Sequence, residues 1–273
     1  MLGKLIKYEF RNTAKVMLIL YLFTAAVTAF GSVVLSMDFI QHGTSSLGDV
    51  LTITTMLVYM LTIFALFVVT YIYMCIHFYK TMYSDQGYLT HTLPVKTLTT
   101  FHVKLFVSMI WTVLSCMVLI ASVLALVTGV SRGEIWAEIN AAFFEQFRTF
   151  FGLSFGQFLA YGGVSIVLSC LNYLLWIYAS MSIGQLFGQH KIGASIAAGA
   201  LLSVINQIAS TIIMVITGYS TFLLFDEAAA SSAQAARSIF GSFMNSAMIY
   251  NLLYIAALYM VCNVIVRKHI NLD

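Results

Sequence analysis

The chain has 273 residues, of which 61% are hydrophobic and only 8% charged, with a formal net charge of +3. A soluble domain carries about 25% charged residues, so a globular core wrapped in a water-facing shell is excluded. The charges are instead gathered into short intervals between long uncharged runs, the distribution that a bilayer imposes on a polytopic membrane protein.

The first fifteen residues, MLGKLIKYEFRNTAK, place Leu2, Leu5, Ile6 and Phe10 at helical spacing and Lys4, Lys7, Arg11 and Lys15 elsewhere. That pattern predicts a basic amphipathic helix on a membrane surface over 1–15. A charged flank that holds the next span inside is the competing reading. A cleaved secretory signal, with Val27-Thr28-Ala29 as its cleavage site, fits less well, because the apolar run continues to Met37 and the leader contains Glu9.

Six apolar runs of spanning length follow, near 16–37, 51–76, 105–130, 153–180, 193–220 and 243–266. In the second, Thr55, Tyr59, Thr62, Thr70, Tyr73 and His77 keep to one helical face broken only at Leu66. The fifth repeats the pattern with Ser203, Asn206, Gln207 and Ser210. Such stripes either line a translocation path for an amphipathic substrate or make interhelical hydrogen bonds, each worth about 0.6 kcal/mol on average in membranes. Glycines and alanines in the fourth and fifth runs (Gly156, Gly163, Gly193, Ala197) suit close helix packing.

Between the second and third runs lies the long polar interval 77–104, which contains the only proline, Pro94. Tyr79, Met82, Tyr83 and Gln86 form one face of a short predicted helix there, Gly87 stops it and Pro94 keeps the return strand out of helix. The loop 131–152 places Ile135, Ile139, Phe143 and Phe147 four apart, predicting a short interfacial helix. The loop after the fifth run, DEAAASSAQAARS, is rich in alanine and serine and offers no chemistry.

An even number of spans puts both termini on one side. Ten basic residues fall on that side (Lys4, Lys7, Arg11, Lys15, Lys80, Lys96, Lys104, Lys191, Arg267 and Lys268) and three on the other (Arg132, Arg148 and Arg237), so the termini are expected in the cytoplasm. The expected fold is a single all-α membrane domain over 1–273: six transmembrane helices, an N-terminal amphipathic interfacial helix and both termini cytoplasmic.

No enzyme site is visible, and no catalytic residue is assigned. The histidines form no metal-spaced pair, so no metal is expected, and the four cysteines sit inside apolar runs as small hydrophobes. No glycine-rich loop ending in Lys-Ser or Lys-Thr is present for ATP. The six runs contain no Asp, Glu, Lys or Arg, which argues against proton or sodium coupling.

The interval Ser84-Asp85-Gln86-Gly87-Tyr88-Leu89-Thr90-His91-Thr92-Leu93-Pro94-Val95, with Lys104 opening the next span, resembles the first cytoplasmic loop of bacterial ABC type-2 permeases. In that family an acidic residue, a glycine, an apolar stretch, a proline and a lysine recur in this order between the second and third spans. Here Gln86 follows Asp85, where members often carry a basic residue. The wider resemblance covers the chain, from its basic start to the short inner loop Gly188–Lys191 and the basic tail.

The resemblance implies a six-span ABC exporter subunit in the bacterial plasma membrane, pairing with a second permease subunit as a homo- or heterodimer. It also implies a separate cytoplasmic ABC ATPase that holds ATP and Mg, while this chain holds no cofactor and meets no nucleic acid. By the same resemblance Tyr83, Asp85, Gly87, Tyr88, Leu89, Pro94, His190 and Lys191 touch that ATPase. The exported substrate would be amphipathic: a peptide, a lipid-linked molecule or a drug. A non-transporting membrane scaffold or assembly factor, and a stand-alone channel, are the alternatives from other classes.

Overall fold

The computed structural model describes residues 2–37, 46–84, 87, 96–131, 134, 136, 139, 141–187, 190–223 and 232–268, except for the side chains of 141, 142, 222, 232–238 and 268. No strand occurs among them. The helices are α1 (Leu2–Leu35), α2 (Ser46–Met82), α3 (Thr97–Val130), α4 (Ala141–Phe151), α5 (Phe155–Gly184), α6 (Lys191–Leu223) and α7 (Ser232–Lys268). All but α4 are long and apolar enough to cross a membrane. The chain is therefore a multi-pass membrane protein. At 1.5 Å per residue the 34 residues of α1 extend about 50 Å, well beyond a hydrocarbon layer of about 30 Å.

That length corrects one expectation. The stretch 1–15 and the first span are not separate elements, because no glycine or proline stands between Arg11 and Met17 and the helix propagates through Lys15 and Val16. Its buried face is also different from the predicted apolar one. The inward stripe is Glu9, Thr13, Met17, Tyr21, Thr24, Thr28, Gly31 and Leu35, while Leu2 and Phe10 are exposed. The interval 77–104 is likewise shorter as a loop than expected, since α2 runs on to Met82 and takes Tyr79 and Met82 into the span's own helix. Of the helix predicted within 131–152, the structure shows α4; Ile139 precedes it, and Ile135 lies outside the described residues.

The chain forms two compact units, the first from Met1–Ile76 and Phe106–Asn140, the second from His77–Leu105 and Ala141–Asp273, so that α2 and α3 contribute to both. In the first unit, hydroxyl groups join the helices. Ser115 of α3 meets the Tyr21 hydroxyl of α1 at 2.9 Å and Thr70 of α2 at 3.2 Å. Two turns on, Ser122 meets Thr28 of α1 at 2.7 Å and Tyr59 of α2 at 3.0 Å. The indole N–H of Trp111 donates to Thr13 at 2.7 Å, and its ring stacks on Phe10 with centroids 4.6 Å apart. Lipid tails are as apolar as leucine, so helices in a bilayer gain little from burying hydrocarbon; hydrogen bonds and close packing hold them. Beyond Ser122 a small apolar cluster of Leu35, Tyr59 and Leu126 completes the interior, and Gly129 lies against Ser32 so closely that a β-carbon there would stand 2.7 Å from the serine's own.

The second unit is built on α5, α6 and α7. Its α5 begins with reciprocal capping: Ser154 Oγ accepts from Gln157 N at 3.3 Å, and Gln157 Oε1 accepts from Ser154 N at 3.0 Å. Three residues earlier α4 ends at Gly152, whose φ of 72° is the left-handed conformation that glycine enters without strain. Near the other end of α5 the backbones of α5 and α6 almost touch. A β-carbon on Gly184 would collide with Ser195, including its backbone N and Cα, and one on Gly199 would press on Ser180 and Trp176.

Candidate functional site

In the middle of α5, α6 and α7 lies a cavity of about 590 Å3. The polar stripe of α6 faces it: Ser203, Asn206, Gln207 and Ser210 all line the wall. From α5 come Ser169, Asn172, Tyr173 and Trp176, and from α7 Phe243, Ser246, Tyr250, Asn251 and Tyr254. No Asp, Glu, Lys, Arg or His is among the lining residues. The surface is thus made of neutral amides, hydroxyls and aromatic rings, with Ile213, Met214 and Ala247 among them.

Most of the wall's polar atoms are already engaged with one another. Tyr250 donates to Asn206, to its side-chain Oδ1 at 2.5 Å and to its carbonyl at 3.0 Å. Asn172 Nδ2 donates to Asn251 Oδ1 at 2.8 Å, and Asn251 Nδ2 to the Ala247 carbonyl at 3.0 Å. Tyr254 donates to the Leu202 carbonyl at 3.1 Å and stacks on Tyr250, with centroids 5.9 Å apart. These bonds clamp α7 onto α6 and α5. The Gln207 side-chain amide, by contrast, makes no hydrogen bond to the described residues, so it offers two donors and an acceptor to an occupant. Tyr173 on α5 and Met214 on α6 line the cavity yet are 57% and 63% exposed, so they form its open rim.

The stripe on α2 lies elsewhere. Tyr59 and Thr70 are buried on Ser122 and Ser115, Thr62 is buried and bonds the Val58 carbonyl, and Thr55 packs beside Gly31, all in the first unit. Tyr73 is half-buried there. None of these five lines the cavity. The α7 side chains of the wall went unnoticed in the sequence, although Ser246, Tyr250, Asn251 and Tyr254 recur at three- and four-residue spacing within an otherwise apolar run. That spacing was the available signal.

At the Gly184 end of α5 the residues around the loop form an aromatic cluster. Phe78 stacks on Tyr178 with centroids 3.7 Å apart, and Phe101 meets both edge-on. Tyr83 packs its ring against Phe78 and shares a 2.8 Å hydrogen bond with Ser182. Burial pushes its phenol well above the usual tyrosine range, with the Ser182 bond only partly opposing, so it stays neutral. Tyr83 is thus an anchor that ties the end of α2 to α5; its ring is not offered at the surface. Gly87 is buried, with the Met82 carbonyl 2.6 Å from where a β-carbon would stand. His190 is exposed and accepts at its carbonyl from Ala194 N, and Lys191 begins α6. Asp85, Gln86, Tyr88, Leu89 and Pro94 lie outside the described residues.

Tyr83→Phe removes one buried hydrogen bond while keeping the ring, and is expected to lower stability by about 1 kcal/mol. Unfolding in mixed detergent micelles would measure it, and an unchanged midpoint would show that the Ser182 bond contributes nothing.

No family model, no curated protein and no solved structure matches this chain.

Proposed function

We propose that the chain is the membrane-spanning subunit of an ATP-driven exporter, which binds an amphipathic substrate between α5, α6 and α7 while a separate cytoplasmic ABC ATPase supplies the energy. The observation that carries this reading is the cavity wall: neutral amides, hydroxyls and rings in the middle of three apolar helices. A head group with hydrogen-bonding atoms and no net charge finds partners there, Gln207 first among them, while its apolar part meets Met214, Ile213 and Phe243. A pump driven by protons or sodium carries ionisable groups along its path. This wall offers amides in their place, which supports a partner as the source of energy.

The sidedness in this proposal follows the ten-to-three split of basic residues, which assigns both termini and the α2–α3 connection to the cytoplasm. The start of α1, with Lys4, Lys7, Arg11 and Lys15, then lies at the inner interface of a bacterial plasma membrane. The ATPase docks on the α2–α3 connection, through Asp85, Tyr88, Leu89 and Pro94, and on His190–Lys191 of the next inner loop. Tyr83 and Gly87 serve that surface indirectly by fixing where the connection begins. A second permease subunit completes the transporter.

Affinity purification from native membranes tests the reading at its base, since an ATPase should accompany the chain. In that complex, replacing Gln207 by leucine should raise the concentration of stimulating compound needed for half-maximal ATP hydrolysis by up to about tenfold, the loss of one hydrogen bond, with the Tyr250–Asn206 clamp and the assembly intact. A chain that carries no ATPase points to the scaffold, and ion conductance from the chain alone points to a channel; either result overturns the exporter.

A further inference from the structure

We propose that the phenylalanines around α4 seal one end of the polar cavity, and that α4 is a lid whose lifting opens that end to the outer aqueous phase. This rests on the cavity being the substrate site and adds the way in which that site is closed.

The polar lining of α7 ends, toward the start of that helix, at Ser246. There Thr217 of α6 donates to the Ser246 hydroxyl at 3.0 Å, drawing the two helices together. At the same level the ring of Phe243 projects over Gly218, 3.4 Å from the position of a β-carbon. One turn further on, rings pack together beside the buried Thr221, whose hydroxyl donates to the Thr217 carbonyl. Phe240 packs on Phe151 of α4 with centroids 5.4 Å apart and on Phe158 of α5 at 6.4 Å. Phe147 joins the same group through Phe158, at 5.2 Å. Passing outward from the amides, a polar solute thus meets a hydroxyl bond, the Phe243 ring and then the layer of Phe240, Phe151, Phe158 and Phe147. A constriction of this kind excludes water and charged solutes.

The two ends of the cavity are built differently. At the Gly184 end the helices approach at the backbone, Gly184 against Ser195, with the Ser180 and Trp176 side chains against Gly199, and separation would break the packing of two spans. At the other end closure depends on rings carried by an eleven-residue helix. What holds α4 is rings: Phe143, Phe144 and Phe147 pack on Phe155, Phe147 and Phe151 on Phe158, and Phe151 on Phe240, while Phe150 is 63% exposed, so lifting α4 parts side chains. Its connection to α5 is confined to residues 152–154, between the left-handed Gly152 and the Ser154–Gln157 cap, which keep both helices intact while their angle changes. The lid is therefore the end that opens.

Ser210→Cys places a thiol in the cavity wall, and the native chain with its four cysteines is the blank. A charged, membrane-impermeant thiol reagent added to intact cells should leave this cysteine unmodified. Adding Phe240→Ala removes both ring contacts that join α7 to the seal and should speed modification by about tenfold. Phe150→Ala, which deletes an exposed ring of α4, should not change it. If Phe240→Ala is not inserted, Phe240→Leu is measured in its place, and modification must still become faster. Rapid labelling with every ring present, or a folded Phe240 variant that stays as protected as its parent, overturns the seal. The readout needs no substrate, so a cavity that labels through the opened end but never stimulates an ATPase would refute the exporter and leave the seal standing.

Discussion

Gly184→Ala is expected to destabilise the second unit by about 3 kcal/mol, the upper part of the range for overpacking. The added methyl meets the backbone N and Cα of Ser195 at 2.6 and 2.7 Å, and backbone cannot turn aside as the tip of a long side chain can. Relief requires α5 and α6 to part, which also loosens Trp176 from the Gly199 carbonyl, to which its indole N–H donates at 3.2 Å. Gly163→Ala and Gly193→Ala are the controls, because a β-carbon at either has nothing within 4 Å. Those two should be neutral or stabilising by about 0.5–1 kcal/mol through helix propensity alone. Unfolding midpoints in mixed micelles decide the matter, and a Gly184 variant that unfolds with the controls would show that the crossing is looser than described.

Trp111→Ala should have an effect of similar size in the first unit. The side chain is 2% exposed, so its loss leaves a void on the order of 100 Å3, at about 24 cal/mol per Å3 a cost of about 2–3 kcal/mol. The stack on Phe10 and the bond to Thr13 go with it. Because the surroundings of a span are as apolar as its interior, the packing part of this cost survives in a membrane while the transfer part largely cancels. Trp111→Phe separates the contributions: it keeps most of the ring and removes the donor, for about 0.6 kcal/mol. Equal losses in the two variants would show that the hydrogen bond, and not the volume, is what Trp111 supplies.

How much of this was legible in the sequence varies with the range of the physics involved. Spanning segments announce themselves over about twenty residues, and all six apolar runs proved helical, because a bilayer demands apolar side chains on every face at once. Where helices begin and end was less legible. The run 2–35 reads as two elements by composition, yet nothing between Arg11 and Met17 breaks a helix.

The polar residues show the limit more sharply. Thr70 in α2 and Ser210 in α6 look alike in sequence, each part of a hydroxyl- and amide-bearing stripe. One is buried on Ser115, whereas the other faces a cavity. The difference lies in which neighbour each helix turns toward, and a stripe fixes only the direction of its own face. Gly184 is the extreme case: a single glycine near a span's end carries no pattern, and its importance appears only when Ser195 is found against it.

The two serines of α3 stand seven residues apart, as do their partners Tyr21 and Thr28 on α1. If α3 slid by one turn, each serine would travel about 5.4 Å, past both of its partners at once, and Ser115, Thr28 and Thr70 would keep only the carbonyl bonds within their own helices. A slide of two turns would bring one serine to the other's place and restore one junction of the two. The trio therefore behaves as a gear with a single tooth setting. A piston-like stroke of α3 along the membrane normal would break all four hydroxyl contacts at once, about 2–3 kcal/mol in sum, whereas a tilt of the three helices together, as one lever, breaks none.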